Sequence, residues 1–204
     1  MISVCLADNL PAVHFGVKSY FRDHPEINVV ANVAEFPLIL EALKNKKIDV
    51  LVVDLELKGL KNIFDLKSLI SNNPNMKIIV YTSLNEQVYA SNFIKAGVSV
   101  FLHKSSKLET LGITIVNVAQ GLISRETTRG FPNYKGGNEI YRKLSNREVE
   151  VLRFLSNGKK NSEISKILGL NEKTISTYKL RLLKKLNVSN LVDLVNKANN
   201  LVLV

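Results

Sequence analysis

Five polar residues stand where short apolar runs end. Residues 2–7 lead into Asp8 and Asn9, 48–53 into Asp54, 77–81 into Thr82, and 98–102 stop just short of Lys104. Runs of this length, bounded by turn-forming residues, predict strands. Brought to one edge, two carboxylates, an amide, a hydroxyl and an ammonium would form a polar rim suited to a charged ligand. Singly, each has a plainer use: Asp8 or Asp54 as a helix cap, Thr82 as a turn residue, Lys104 as a surface cation. The signal is their predicted meeting at one edge.

A second constellation lies within 161–186. Ile164, Ile167 and Leu168 recur at helical spacing over 162–168, and Gly169 suits a helix C-terminus. Asn171 is then a good N-cap for a second helix, and Glu172 favours the positive end of its dipole. At ~100° per residue, Ile175, Tyr178, Leu182 and Leu186 share one side, while Lys173, Thr177, Leu180, Arg181 and Lys184 share the other. Cations for phosphates and short hydroxyl side chains for base edges are what a helix reading the major groove needs. An ordinary amphipathic surface helix, taken alone, would look much the same.

The elements that must position the rim alternate. Strands are expected at 2–7, 27–33, 48–53, 77–81 and 98–102, and helices at 11–24, 36–47, 63–70, 86–96 and 108–122. Five repeats of strand then helix imply an open, mostly parallel sheet with helices on both faces. Ligands of such sheets bind beyond the carboxyl ends of the strands, where the five residues fall. The expected fold class is therefore α/β, a doubly wound five-stranded parallel sheet, with a second, smaller all-α helix-turn-helix domain.

Length and charge agree with two domains. A chain of 204 residues exceeds the usual single-domain size of about 100–150. Residues 138–204 hold 13 Lys and Arg against 6 Asp and Glu, whereas 1–137 hold 15 against 12. The basic excess sits with the helix-turn-helix and favours nucleic acid by phosphate neutralisation, although an acidic membrane surface would attract it too. Residues 124–142, with Gly130, Pro132 and Gly136-Gly137, lack periodicity and are expected to be a flexible linker between a first domain at 1–123 and a second at 143–204. Cys5 is the only cysteine, which excludes an intramolecular disulfide and a cysteine-based metal site. No apolar stretch approaches the ~20 residues of a membrane helix, so a cytoplasmic protein with no membrane partner is expected. His14, His24 and His103 show no metal-ligand spacing and are assigned no chemistry.

Leu144-Ser145-Asn146-Arg147-Glu148-Val149-Glu150-Val151-Leu152, then Gly158, Glu163-Ile164, the run Lys173 to Lys179 and Lys185-Leu186 resemble the helix-turn-helix of LuxR/FixJ (NarL-type) bacterial transcription regulators. The Lys-Thr-Ile-Ser-Thr-Tyr-Lys segment is most similar to the BvgA and EvgA branch. The match covers about the last third of the chain at fixed spacing without gaps. It implies double-stranded DNA as partner and a homodimer on two-fold half-sites. Lys173, Ser176, Thr177 and Leu180 are the expected base contacts, and Lys179, Arg181 and Lys184 the expected phosphate contacts. The stripe Leu191, Leu194, Val195 and Ala198 suits a dimer contact or the closing of the small domain's core.

Asp8, Asp54, Thr82 and Lys104, with Phe101 between the last two and Pro11 and Gly59 flanking, resemble response-regulator receiver domains of the flavodoxin/CheY-like fold. The resemblance implies a two-component system in which Asp54 accepts a phosphoryl group from a sensor histidine kinase or a small phosphodonor. It implies Mg²⁺ held by Asp8, Asn9, Asp54 and the backbone carbonyl of Glu56, with Thr82 and Lys104 holding the transferred group and Phe101 as the switching aromatic. A carboxylate can attack phosphorus when a cation relieves charge repulsion and other donors hold the oxygens.

Departures from the family pattern qualify this. Asn9 occupies the second acidic position and brings no charge, so weaker Mg²⁺ binding is expected unless Glu56 supplies the missing carboxylate. Lys58 and Ser105 stand where proline is common, the first a minor change. One rival is therefore an atypical receiver that binds DNA independently of phosphorylation. Another is an enzyme, since doubly wound sheets also host flavin proteins and phosphatases. The chain offers no general acid placed near Asp54, and an enzyme would leave the helix-turn-helix unexplained.

Overall fold

The computed structural model describes residues 1–123 and 143–199. The linker expected at 124–142, with its paired glycines, lies outside the described residues. Five strands, β1 (Ile2–Ala7), β2 (Ile27–Val33), β3 (Val50–Val53), β4 (Lys77–Thr82) and β5 (Val100–His103), lie in the order β2-β1-β3-β4-β5. Every neighbouring pair is parallel, as the strand–helix alternation requires.

Helices α1 (Pro11–Tyr20) and α5 (Leu108–Ala119) cover one face, packing Val17, Leu111 and Ile115 on Val4, Leu6, Val52 and Ile79. Helices α2 (Phe36–Asn45), α3 (Ile63–Asn72) and α4 (Glu86–Ala96) cover the other, with Ile39, Leu66 and Phe93 in the cluster of Cys5, Leu51, Val53 and Val80. All four residues of β3 are buried, because a central parallel strand is covered from both sides. From β1 the chain crosses to β2 on one side, and from β2 it returns to β3 on the other. The crevice at that reversal is where such sheets bind ligands.

Among the described residues the second domain comprises four helices: α6 (Asn146–Ser156), α7 (Asn161–Leu168), α8 (Glu172–Leu186) and α9 (Leu191–Asn199). Ser145 and Glu148 form a capping box that starts α6. Gly169, at φ +65°, ends α7 in the left-handed conformation, and the Asn171 side chain accepts from the Lys173 amide at 2.8 Å to start α8. Ile164, Ile175, Leu182 and Leu186 are fully buried between these helices. Leu194 and Ala198 of α9 are buried too, so that stripe closes the small domain's core.

Element ends differ from expectation where side chains intervene. Helix α1 stops at Tyr20 rather than at 24, because His24 Nδ1 accepts the amides of Glu26 and Ile27, both at 3.2 Å, and Pro25 disfavours a helical His24. Helix α2 stops at Asn45, with Lys46 already extended, and α5 stops at Ala119.

Two helical glycines serve different ends. A Cβ on Gly112 would lie 3.0 Å from the buried Phe21 ring, whereas one on Gly16 would meet nothing within 4 Å. Gly112→Ala should therefore destabilise by about 1–3 kcal/mol through overpacking. Gly16→Ala should stabilise by roughly 0.5–1 kcal/mol. Urea denaturation of both variants checks the contrast, and equal signs would contradict it.

Candidate functional site

Parallel register sets the rim. Ala7 lies opposite Val53, and the Asp54 amide donates to the Ala7 carbonyl at 2.9 Å, so Asp8 and Asp54 leave their strands side by side. Thr82 and His103 are partners across β4 and β5, and the Lys104 amide donates to the Thr82 carbonyl at 2.8 Å, which sets Lys104 at the same edge. Four of the five expected rim residues thus converge. The fifth, Asn9, is exposed beside them.

Lys104 is the centre of the cluster. Its Nζ lies 2.7 Å from Asp8 Oδ2 and 2.7 Å from Asp54 Oδ2. The other Asp54 oxygen accepts from the Thr82 hydroxyl at 2.6 Å and from the Glu56 amide at 3.3 Å. Asp8 Oδ1 accepts the Leu10 amide at 2.8 Å. Asp8, Asp54 and Thr82 are each at most 2 % exposed. Burial by itself pushes the Lys104 pKa down, but its hydrogen bonds to Asp54 and Asp8 and their charges more than offset this, so it stands above its ordinary value. A cleft of about 320 Å³, lined by Asp8, Asn9, Pro11 and His14 among others, opens beside Asp8. Phe101 is buried, its ring 6.5 Å from that of Phe93.

The groups expected to hold a cation, the Asp8 and Asp54 carboxylates, the Asn9 side-chain amide and the Glu56 carbonyl, would offer only oxygens. That set fits a hard divalent cation in kind. Among the described residues no group of three acidic, imidazole or thiol side chains is placed to share a metal. The Glu56 side chain is exposed and does not converge with Asp8 and Asp54, so the suggestion that it replaces the missing carboxylate is not met.

On α8, Lys173, Thr177, Leu180, Arg181 and Lys184 are all exposed, Leu180 by 66 %. Lys179 is half-buried, and the half-buried Ser176 accepts from Asn161 of α7 at 3.1 Å, which ties the two helices together. The exposed side chains form one basic face of α8, and Ser176 is engaged in holding α8 to α7. The Arg181 guanidinium lies 5.8 Å from the centre of the Tyr178 ring.

What the sequence did not suggest is how α6 meets the first domain. Arg153, 3 % exposed, donates to the carbonyls of Leu55, Lys61 (2.9 Å) and Leu60 (3.4 Å) in the loop after Asp54. Glu150, 2 % exposed, accepts the Ile63 amide at 2.9 Å and pairs with Arg147 at 2.9 Å, whose guanidinium lies over the Phe64 ring. From α4, the Asn92 side chain donates to the Leu144 carbonyl at 3.3 Å. Arg147, Glu150 and Arg153 are three residues apart, a spacing that in sequence is indistinguishable from a solvated charged stripe. Burial lowers the Arg153 pKa, and the charges of Tyr89, Glu150, Glu56 and Asp54 act against that.

Lys104→Met would leave two buried carboxylates facing each other. It should lower the unfolding free energy at pH 7 by about 3–5 kcal/mol, most of it restored by adding Asp54→Asn. Because the folded-state pKa of Lys104 is raised, its contribution is fully present below the ordinary lysine value of 10.5 and is lost as pH rises through the raised value. Wild type should thus lose stability on that alkaline limb and Lys104→Met should not; urea melts across pH decide it.

Two family models match the chain: the response regulator receiver domain over residues 4–116, and the bacterial regulatory proteins of the luxR family over 142–198. The Fimbriae Z protein of Salmonella typhimurium is 31 % identical over 203 residues, covering 97 % of this chain and 96 % of that one. The DNA-binding transcriptional activator EvgA of Escherichia coli is 25 % identical, covering 83 % and 84 %. Among solved structures, RcsB from Salmonella enterica serovar Typhimurium, bound to a promoter in the presence of the phosphomimetic BeF₃⁻, superposes with a TM-score of 0.85 at 28 % identity, over 98 % of this chain and 99 % of that one. A buried carboxylate gripped by a hydroxyl and an ammonium, joined to a helix-turn-helix of matching sequence and arrangement, places the chain in the family of two-component response regulators that couple a receiver domain to a LuxR-type DNA-binding domain.

Proposed function

We propose that Asp54 is the phosphoacceptor and that its modification controls how α8 is presented to double-stranded DNA. The observation that carries this is the arrangement on one carboxylate: Thr82 donates to one Asp54 oxygen and Lys104 to the other. In the transfer, an Asp54 oxygen forms a bond to phosphorus. The P–N bond of a phosphohistidine, or the P–O bond of an acyl phosphate, breaks, and the leaving group departs with the electron pair. The Thr82 hydroxyl and the Lys104 ammonium are then at hand to hold transferred oxygens. Phe101, buried on β5, is the aromatic whose packing would follow that hydroxyl.

Receiver domains generally bind Mg²⁺ for phosphorylation. Here Asp8, Asn9, Asp54 and the Glu56 carbonyl would hold it, and the bound ion would offset the negative charge of the incoming phosphoryl group. Asn9 coordinates without charge, so we assign this chain weaker Mg²⁺ binding than a receiver with two acids there. Asn9 also favours a second reading, a receiver whose DNA binding is independent of phosphorylation.

We assign Lys173, Ser176, Thr177 and Leu180 to base edges and Lys179, Arg181 and Lys184 to phosphates. Supporting this, the chain is similar over both domains to RcsB bound to a promoter. A homodimer on two-fold half-sites, a cytoplasmic location, domain limits at 1–123 and 143–204, and no turnover of external substrates complete the proposal. Among the described residues no helix is long and apolar enough to cross a membrane.

Acetyl phosphate with Mg²⁺ should add one phosphoryl mass to the wild type and none to Asp54→Asn, and Asn9→Asp should lower the Mg²⁺ concentration required. An unmodified wild type would favour the phosphorylation-independent reading. On DNA, Lys184→Ala should weaken binding to all sequences alike and reduce the salt slope by about 1. Thr177→Ala should instead change the preference among sites selected from a random pool. Indistinguishable losses from the two variants would contradict the division of roles.

A further inference from the structure

One peptide group joins the two domains' chemistry. The carbonyl of Leu55 accepts from Arg153 of α6, and the N–H of the same peptide unit, belonging to Glu56, donates to Asp54 Oδ1 at 3.3 Å. The guanidinium is 3 % exposed and also holds the Lys61 and Leu60 carbonyls, so the loop from Leu55 to Ile63 is gripped at both ends by α6, its far end through Glu150. A peptide plane is rigid, so fixing its carbonyl fixes the direction of its N–H. A charged donor on the carbonyl also polarises the N–H and strengthens the bond it makes.

The grip coexists with a rim in which Thr82 and Lys104 both hold Asp54, and with an exposed α8 face. Thr82 is turned onto Asp54, Phe101 is buried, and the α8 face that carries Lys173, Thr177 and Lys184 is exposed. Docking through α6 therefore leaves α8 free for a duplex.

We propose that Arg153 is a positioning residue for the phosphoacceptor, supplied by the DNA-binding domain. By orienting the Glu56 amide it makes the docked arrangement and the phosphorylated rim favour one another. This rests on Asp54 as phosphoacceptor. Such a coupling is reciprocal in free energy: whatever docking contributes to the stability of the phosphorylated rim, the phosphorylated rim returns to docking. No base-edge or phosphate contact with DNA is assigned to Arg153, so the coupling is separable from the reading of sequence.

The experiment uses the full chain with acetyl phosphate and Mg²⁺, following intact mass and amide hydrogen exchange in α6 and in the 55–63 loop. In wild type, phosphorylation should slow exchange in both segments. In Arg153→Gln, the steady-state ratio of phosphorylated to unmodified chain should fall by about fivefold or more, a coupling of the usual size between sites. The loop should still respond to phosphorylation there, while α6 should not. A merely structural role would raise exchange in α6 without removing its response. Equal phosphorylation and an equal α6 response in the two proteins would overturn the proposal while leaving Asp54 as acceptor. A wild type that takes no phosphoryl group would overturn both. If Arg153→Gln does not fold, Arg153→Lys carries the test, since a lysine keeps the charge but cannot span three carbonyls. Its phosphorylated ratio and α6 response should lie clearly below wild type, and values indistinguishable from wild type would sink the proposal.

Discussion

Two ionised carboxylates side by side in a protein interior need a cation to hold them there, and in this chain that cation is the Lys104 ammonium, 2.7 Å from each. The rest of the first domain follows from satisfying that demand. Asp8 and Asp54 come from adjacent parallel strands, whose register sets them next to each other. Lys104 comes from beyond β5, two strands away, and must reach across the top of β4, where Thr82 supplies the second grip on Asp54. A slip of one residue in any of these strands would turn a buried acid to the wrong face of the sheet.

The same logic extends to the second domain. Arg153 and Glu150 are buried charges, and each is matched by backbone groups that the loop after Asp54 would otherwise leave unpaired: the carbonyls of Leu55, Leu60 and Lys61, and the first amide of α3. Polar satisfaction of this kind is directional, so it fixes how the helical domain sits as well as that it sits. The apolar cluster of the α2, α3 and α4 face continues without a break into Leu144, Val149 and Leu152 of the helical domain. The rim and the helix-turn-helix thus share one contiguous packed body, with a short physical route between them.

Much of this was legible in the residues themselves. Short apolar runs located five strands, and Asp8, Asp54, Thr82 and Lys104 at their ends located the rim, because parallel sheets put strand ends on one edge. Gly169 and Asn171 marked the turn between α7 and α8, and the alternation of Ile175, Leu182 and Leu186 with Lys173, Thr177 and Lys184 separated the packed face from the exposed one. The early end of α1 was not legible, since it depends on a His24 side chain competing for backbone amides. Nor was the exposed position of the Glu56 side chain, which chain proximity to Asp54 made look like a ligand.

Sequence alone therefore determined the order of elements, the convergence of the rim and the chemistry of the α8 face, since each depends on spacing along the chain and on residue type. Only the tertiary structure decided that Lys104 bridges both acids, that Ser176 braces α7 rather than standing free, and that Arg147, Glu150 and Arg153 face the loop after Asp54 instead of water. Those outcomes depend on which distant backbone groups are left without a partner once the sheet and helices have packed, a quantity that no local pattern of residues records.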